Sequence, residues 1–262
     1  MSSYRVVRAD PAGNITLFVL TQVPAEKRSE TAQRLFEACS SEIEQIGFAG
    51  IPDAGFDGRL EMAGGEFCGN ASRAYGLLLA KHRGLQGRQQ LMLQVSGSSC
   101  PIAVSVDIEG EQADAQMPLP RFVRRETVAG VTGTLVHLGG IVHFVVENIA
   151  PDAVWMERIE PLFHTLGALD AYGICFLERD AKRMTPLVKV PAARTLVFEG
   201  SCGSGSVASA VAMSEGTDGA FSVELQQPAG VVRAAVQRCG GVVTQASIGG
   251  SVTLGVPKFI EC

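Results

Sequence analysis

Two cysteines stand in matched surroundings. Cys68 lies in the segment GGEFCGNA (64–71) and Cys202 in EGSCGSGS (199–206), so each is followed by glycine, a short polar residue and a run that reads as a helix. The first N–H groups of a helix have no internal partner and carry the positive end of its dipole. Glycine lets a ligand carboxylate come close to that backbone. The same field is expected to draw a thiol placed there down from about 8.5 toward neutrality. Two such thiols flanking one α-carbon form a racemising pair. One thiolate removes the α-proton and the other group, as a thiol, returns a proton to the opposite face. The N–H groups already on the carboxylate stabilise the intervening enediolate. One thiolate and one thiol are needed together, which predicts a bell-shaped pH dependence.

A free cysteine is more often a small buried apolar residue. That is the expectation for Cys39, Cys100, Cys175 and Cys239, while Cys262 is expected to be exposed. For Cys68 or Cys202 taken singly, the structural and chemical readings balance. Their matched occurrence, one in each half and 134 positions apart in 262, favours chemistry.

The elements that must position these residues also read as a duplication. Residues 15–20 form a buried strand, and 29–46 an amphipathic helix with Ser29 capping its start and apolar positions 32, 35, 36, 39, 43 and 46 on one face. The stretch 48–60 is turn-rich, and a helix over about 70–82 is stopped by Gly84. A β-meander follows over 91–118. Strands at 135–138, 141–146 and 174–177 and a short helix near 152–166 come next. A strand at 194–198 leads to the second cysteine and its helix, and a second meander spans 220–257. The expected fold is therefore α/β with two similar halves related by a pseudo-twofold axis. The halves are 1–120, which 256–262 can complete, carrying Cys68, and 121–255, carrying Cys202. Such symmetry would bring the two cysteines to one central cleft.

Composition narrows the function classes. With 46% hydrophobic residues, 19% charged residues and a net charge of −5, the chain is a globular protein, and neither a nucleic acid nor an anionic membrane is its expected partner. Residues 1–12 lack the apolar core of a signal peptide and 15–20 is too short to span a bilayer, so the expected compartment is the cytoplasm, with all seven cysteines reduced. There is no CxxC pair, and His82, His137 and His164 lack metal-ligand spacing, so no metal is expected. None of the five lysines lies in a glycine-rich setting for a Schiff-base cofactor, and 203–205 is too short for a dinucleotide fingerprint. Glycine is enriched, at 30 of 262 residues against roughly 7% ordinarily, and the informative part of that excess surrounds the two cysteines.

The motifs Phe67-Cys68-Gly69-Asn70 and Ser201-Cys202-Gly203-Ser204-Gly205, with Pro11-Ala12-Gly13-Asn14 near the start and His143 after a central glycine turn, resemble the diaminopimelate epimerase superfamily of pyridoxal-phosphate-independent racemases. The resemblance covers nearly the whole chain. It implies two similar α/β domains, each a curled, mostly antiparallel sheet around a central helix, and a two-thiol mechanism without a cofactor. Diaminopimelate epimerases carry an arginine for the distal carboxylate before the second cysteine. Here residues 195–200 read TLVFEG, and Ala71 replaces a glycine, although Arg73 matches an arginine of those epimerases.

A closer resemblance is to the histidine racemases that supply D-histidine for staphylopine-type opine metallophores. It is carried by GEFCGNA (65–71), by EGSCGSG (199–205) with its glutamate, and by EQIGF (44–48). It implies Cys68 and Cys202 as catalytic residues and Asn14, Glu44, Gly69, Asn70, Glu199, Gly203 and Ser204 as substrate-binding ones. An acidic residue near an imidazole substrate is chemically sensible, because it holds the ring by a charge-assisted hydrogen bond. The substrate is then a small amino acid, and a homodimer is compatible with the superfamily.

Plainer readings stand beside these. Glu44 reads by periodicity as a solvated helix glutamate bordering the apolar face; Glu66 and Glu199 as turn residues at helix starts; Asn14 and Asn70 as turn or cap residues; His143 as a core histidine. Diaminopimelate, or another small carboxylic acid, is the alternative substrate. A redox protein using two low-pKa thiols, or an inert small-acid binding module, are the alternatives of other classes.

Overall fold

The structure is a computed structural model that describes residues 2–39, 41–192 and 194–262. It divides into two compact units: residues up to Gln116 together with Gly249–Cys262, and Met117–Ile248.

In the first unit, β1 (Ser3–Asp10) turns back into β2 (Thr16–Val19) as an antiparallel pair. Ala12 and Gly13 make the turn with φ of 64° and 88°, and the Gly13 N–H donates to Asp10 Oδ1 at 2.7 Å. Helix α1 (Arg28–Ala38) buries Thr31, Ala32 and Leu35 and leads to β3 (Gln45–Gly50), which lies parallel to β2. The helix read over 29–46 is therefore an 11-residue helix followed by a strand. Ile43 and Ile46 are buried as expected of apolar residues, but from a loop and a strand, and Lys27 rather than Ser29 holds the N-cap position. A short apolar run fits either period, and chain reversal after Cys39 decides the matter. The stretch read as turns over 48–60 contains the end of β3 and the start of β4 (Gly58–Met62). Gly58 hides that strand in the sequence: a Cβ there would meet Leu79 Cδ1 at 2.3 Å, so a larger residue would have to displace the leucine of the helix behind it.

That helix, α2 (Gly69–His82), is the core of the unit. Tyr75, Leu77 and Leu78 pack with Phe18, Leu60, Leu93 and Val104 from the surrounding strands. A helix enclosed on most sides needs apolar or small residues all round, which explains its weak amphipathicity. Strands β5 (Arg88–Val95), β6 (Ile102–Asp107) and β7 (Gln112–Gln116) form the expected antiparallel meander against it. Two late strands, Thr253–Leu254 and Lys258–Glu261, pair antiparallel with β1 and complete the sheet.

The second unit repeats the plan. Strands β8 (Phe122–Val128), β9 (Val131–His137) and β10 (Ile141–Glu147) are antiparallel neighbours in that order. Helix α3 (Val154–His164) buries Met156, Ile159 and Phe163 and leads to β11 (Ala171–Glu178), parallel to β10. Then come β12 (Arg183–Val190), β13 (Thr195–Phe198), the central helix α4 (Gly203–Met213), and the meander β14 (Gly219–Gln227), β15 (Gly230–Cys239) and β16 (Val242–Ser251). In both units a parallel pair is bridged by the outer helix and a second parallel pair by the central one: β2–β3 and β4–β5, then β10–β11 and β12–β14. The fold is thus α/β, mostly antiparallel sheet, with one buried helix per unit.

Candidate active site

The two cysteines occupy the same position in their units. Each is the N-cap of the central helix, with φ −128° and ψ 112° at Cys68 and φ −125° and ψ 110° at Cys202. Each sulfur accepts the N–H three residues on, Ala71 or Gly205, at 3.4 Å. Each carbonyl accepts the hydroxyl of the serine four residues on, Ser72 or Ser206, at 2.7 Å. Cysteine here does the work that serine or aspartate does at an ordinary N-cap, with a softer acceptor. Gly69 and Gly203 follow at the first helical position; Gly69 is buried, and a Cβ on Gly203 would stand 2.7 Å from Ile248 Cδ1.

Around Cys68 the sequence-predicted residues Asn14 and Glu44 come together with one that the sequence reading missed, Gln45. Gln45 Nε2 lies 2.7 Å from Asn14 Oδ1, 2.8 Å from Thr16 Oγ1 and 3.4 Å from Cys68 Sγ, so two amide protons serve three acceptors. The Cys68 thiol lies 3.7 Å from Asn14 Oδ1 as a donor. Asn14 Nδ2 donates to Glu44 Oε2 at 2.9 Å. Glu44 therefore sits not on a helix but in the loop before β3, tied to Asn14. Desolvation holds its carboxyl above the usual range, the Asn14 bond pulls it down and Asp10 adds to the rise. The lead-in to Cys68 is fixed from β5. Ser96 Oγ donates to Glu66 O at 2.9 Å, and Gly97 (φ +71°) lies so close that a Cβ would stand 2.2 Å from Phe67 N. No spacing rule in the sequence points to that contact.

Asn70, by contrast, turns its side chain inward. Its Oδ1 accepts from Arg73 Nε at 3.1 Å, and Arg73 Nη1 donates to the carbonyls of Gly250 and Ser251 at 3.0 and 3.1 Å. Arg73 is fully buried, so the arginine shared with diaminopimelate epimerases here binds the returning chain.

Around Cys202 the surroundings differ. Its N–H donates to Gln227 Oε1 at 2.8 Å, and Gln227 Nε2 donates to Ser206 Oγ at 2.8 Å. Ser204 Oγ lies 3.4 Å from Cys202 Sγ and 2.8 Å from His143 Nε2. His143 is a buried histidine, as the plainer reading held, and its Nδ1 lies 3.6 Å from the buried Cys175 Sγ. Glu199 approaches Cys202 closely enough to raise its pKa by charge and by hydrogen bonding.

The thiols do not follow the expected drop toward neutrality. Burial pushes the Cys68 thiol above its ordinary value, Ala71 N–H, Gln45 and Asn70 N–H oppose it, and Glu66 adds to the rise. Burial pushes Cys202 further, well above its ordinary value, with Glu199 and Cys175 adding and Ser204 opposing. Desolvation outweighs the helix end at both positions. At Cys68 the helix-start N–H groups of Ala71 and Asn70 compensate only part of what burial removes.

The model of the family described as histidine racemase CntK N-terminal domain matches residues 4–256. The chain belongs to this histidine racemase family. A histidine racemase of Fusobacterium nucleatum is 30% identical over 211 residues, covering 77% of each chain. One of Staphylococcus aureus is 27% identical over 254 residues, covering 93% of this chain and 92% of that one. Among solved structures, a hydroxyproline epimerase from Agrobacterium vitis superposes with a TM-score of 0.69 at 12% identity, over 98% of this chain and 92% of that one, a likeness of fold. The family match spans both units, so both helix starts lie inside it. Among the described residues, no helix is long and apolar enough to cross a membrane, and no group of three or more His, Cys, Asp or Glu side chains could hold a metal ion.

Proposed function

We propose that the protein interconverts L- and D-histidine without a cofactor, with Cys68 and Cys202 as the two proton-transfer groups. The observation that carries this is the repetition of one N-cap cysteine geometry at the two central helices of a histidine racemase family member. The thiolate of one cysteine takes the α-proton and becomes a thiol. The carbanion delocalises into the carboxylate as an enediolate, on which the backbone N–H groups following Gly69 and Gly203 act. The thiol of the other cysteine protonates the opposite face and becomes the thiolate. The enzyme leaves the cycle with the roles of the sulfurs exchanged, ready for the other enantiomer. In this reading Glu44, oriented by Asn14, accepts an imidazole N–H. The stretch 195–200, which has no arginine to hold a second carboxylate, favours histidine over diaminopimelate. The chemistry needs reduced thiols, which a cytoplasmic location maintains, and all seven cysteines are free.

The test is α-proton exchange of L-histidine in D2O, followed by NMR, within a panel of L-amino acids that includes diaminopimelate. Cys68→Ser and Cys202→Ser should each lower exchange at least about a hundredfold, the lower range for loss of a general acid or base. Full exchange in both variants overturns the cysteine assignment; exchange of another amino acid in preference to histidine overturns the substrate. Because burial raises both thiols, the form with one thiolate gains population as pH rises, and kcat/KM should climb across the neutral range.

A further inference from the structure

Behind Cys202 lie two buried groups that the racemase reading leaves without a task, His143 and Cys175, and half-buried Ser204 joins them to the sulfur. His143 comes from β10, Cys175 from β11 and Ser204 from the first turn of α4. We propose that they form a one-way donor chain, Cys175 S–H to His143 Nδ1, His143 Nε2–H to Ser204 Oγ, and Ser204 O–H to Cys202 Sγ, which stabilises the Cys202 thiolate. The use of such a chain rests on the two-thiol reading, in which Cys202 must become a thiolate in every turnover.

The direction proposed takes the Cys175 proton to His143 Nδ1, the shorter of its two contacts, over Gly205 O, which competes for it. His143 is fully buried and burial pulls it down to about 4, so the imidazole is neutral and carries one N–H. Cys175 is fully buried and pushed far up by burial and by Glu199, so it keeps its proton and acts as a donor. Its sulfur lies 3.6 Å from His143 Nδ1 and 3.8 Å from Gly205 O. Given to Nδ1, that proton leaves the imidazole's own on Nε2, 2.8 Å from Ser204 Oγ. Ser204 then has its hydroxyl proton free for Cys202 Sγ at 3.4 Å. The seat is cut to size by glycines: a Cβ on Gly173 would stand 3.0 Å from His143 Nδ1, and one on Gly205 3.0 Å from Cys175 Sγ.

The need follows from the surroundings. Among the described residues, Glu199 and Cys175 oppose a Cys202 thiolate, and neutral His143 stands one contact further back, behind Ser204. Cys202 is 6% exposed, so water offers its sulfur little. The Gly205 N–H supplies one donor, and the chain supplies a second whose proton is never lost to the imidazole.

Two measurements test this without substrate, so they stand or fall separately from the racemase assay. In 15N-labelled protein, the two-bond 1H–15N spectrum should show His143 as the Nε2–H tautomer, assigned by its disappearance in His143→Gln. The Nδ1–H tautomer overturns the proposal. The pH-rate profile of Cys202 alkylation by iodoacetamide, read by mass spectrometry with Cys68 as internal reference, should move up by about one pH unit in Ser204→Ala, the size expected for a lost hydrogen bond to a charged group. His143→Gln keeps an N–H toward Ser204 and should stay near wild type, whereas His143→Leu should move like Ser204→Ala. An unchanged midpoint in Ser204→Ala, or equal shifts in the two His143 variants, overturns it; if His143→Leu fails to fold, the tautomer and Ser204→Ala decide.

Discussion

The two helix starts share a backbone and differ in nearly everything around it. An offset of 134 pairs Cys68 with Cys202, Asn70 with Ser204, Ser72 with Ser206 and Arg73 with Val207. The cysteines and the serines make the same bonds in both units. The other two pairs diverge. Asn70 turns inward to Arg73, while Ser204 links His143 to the sulfur. Arg73 carries a buried charge to two carbonyls, while Val207 is plain core. Cys68 is half-buried among amides, and Cys202 is buried beside a carboxylate. The repeat keeps what the helix end requires and frees what surrounds it, so under the proposed mechanism one reaction would be shared by two thiols in unlike surroundings.

The difference can be broken or sharpened by substitution. The largest effect is expected from Arg73→Met, which strips Asn70 Oδ1 and the carbonyls of Gly250 and Ser251 of a buried charged donor. It should cost about 3 kcal/mol or more in chemical denaturation, since hydrogen bonds to charged groups are each worth about 1.5–3 kcal/mol. A cost within about 0.5 kcal/mol, the range of a surface change, would make Arg73 no more of an anchor than Val207. Next comes Gln45→Glu, which removes an amide donor near Cys68 Sγ and adds a negative charge. Alkylation of Cys68 at neutral pH should slow about tenfold while Cys202 is unaffected, one pKa unit being the ordinary size of such a change. The smallest effect, opposite in sign and at the other cysteine, belongs to Glu199→Gln. Removing that charge should let Cys202 ionise at lower pH, leaving Cys68 as it was, and a shift at Cys68 instead would break the assignment.

Much of this was legible in the sequence. The paired Cys-Gly motifs mark both helix starts because N-cap chemistry is local, and the helix over about 70–82 and the two meanders were read from patterns that local spacing carries. What spacing does not carry was missed or misread. Residues 29–46 satisfied a helical period that the fold divides between α1 and β3, and this moved Glu44 from a helix face to a loop beside Asn14. Gln45 touches Cys68 only because β3 lies parallel to β2, a pairing separated by a whole helix. The acidity of the thiols is not legible in the motif, because burial is a property of the packed unit and desolvation outweighs the helix end. Gly97 and Gln227 act across long sequence separations, and no periodicity announces them.

The return of residues 249–262 into the first unit also sets an order of events during synthesis. The strand Lys258–Glu261 is the antiparallel partner of β1, and the carbonyls that receive Arg73 belong to Gly250 and Ser251. The first unit therefore gains the two carbonyl partners of Arg73 Nη1 only after the ribosome has translated all of the second. The second unit, continuous from Met117 to Ile248, is under no such delay. Of the two units, the one that begins at the N-terminus is the later to be completed.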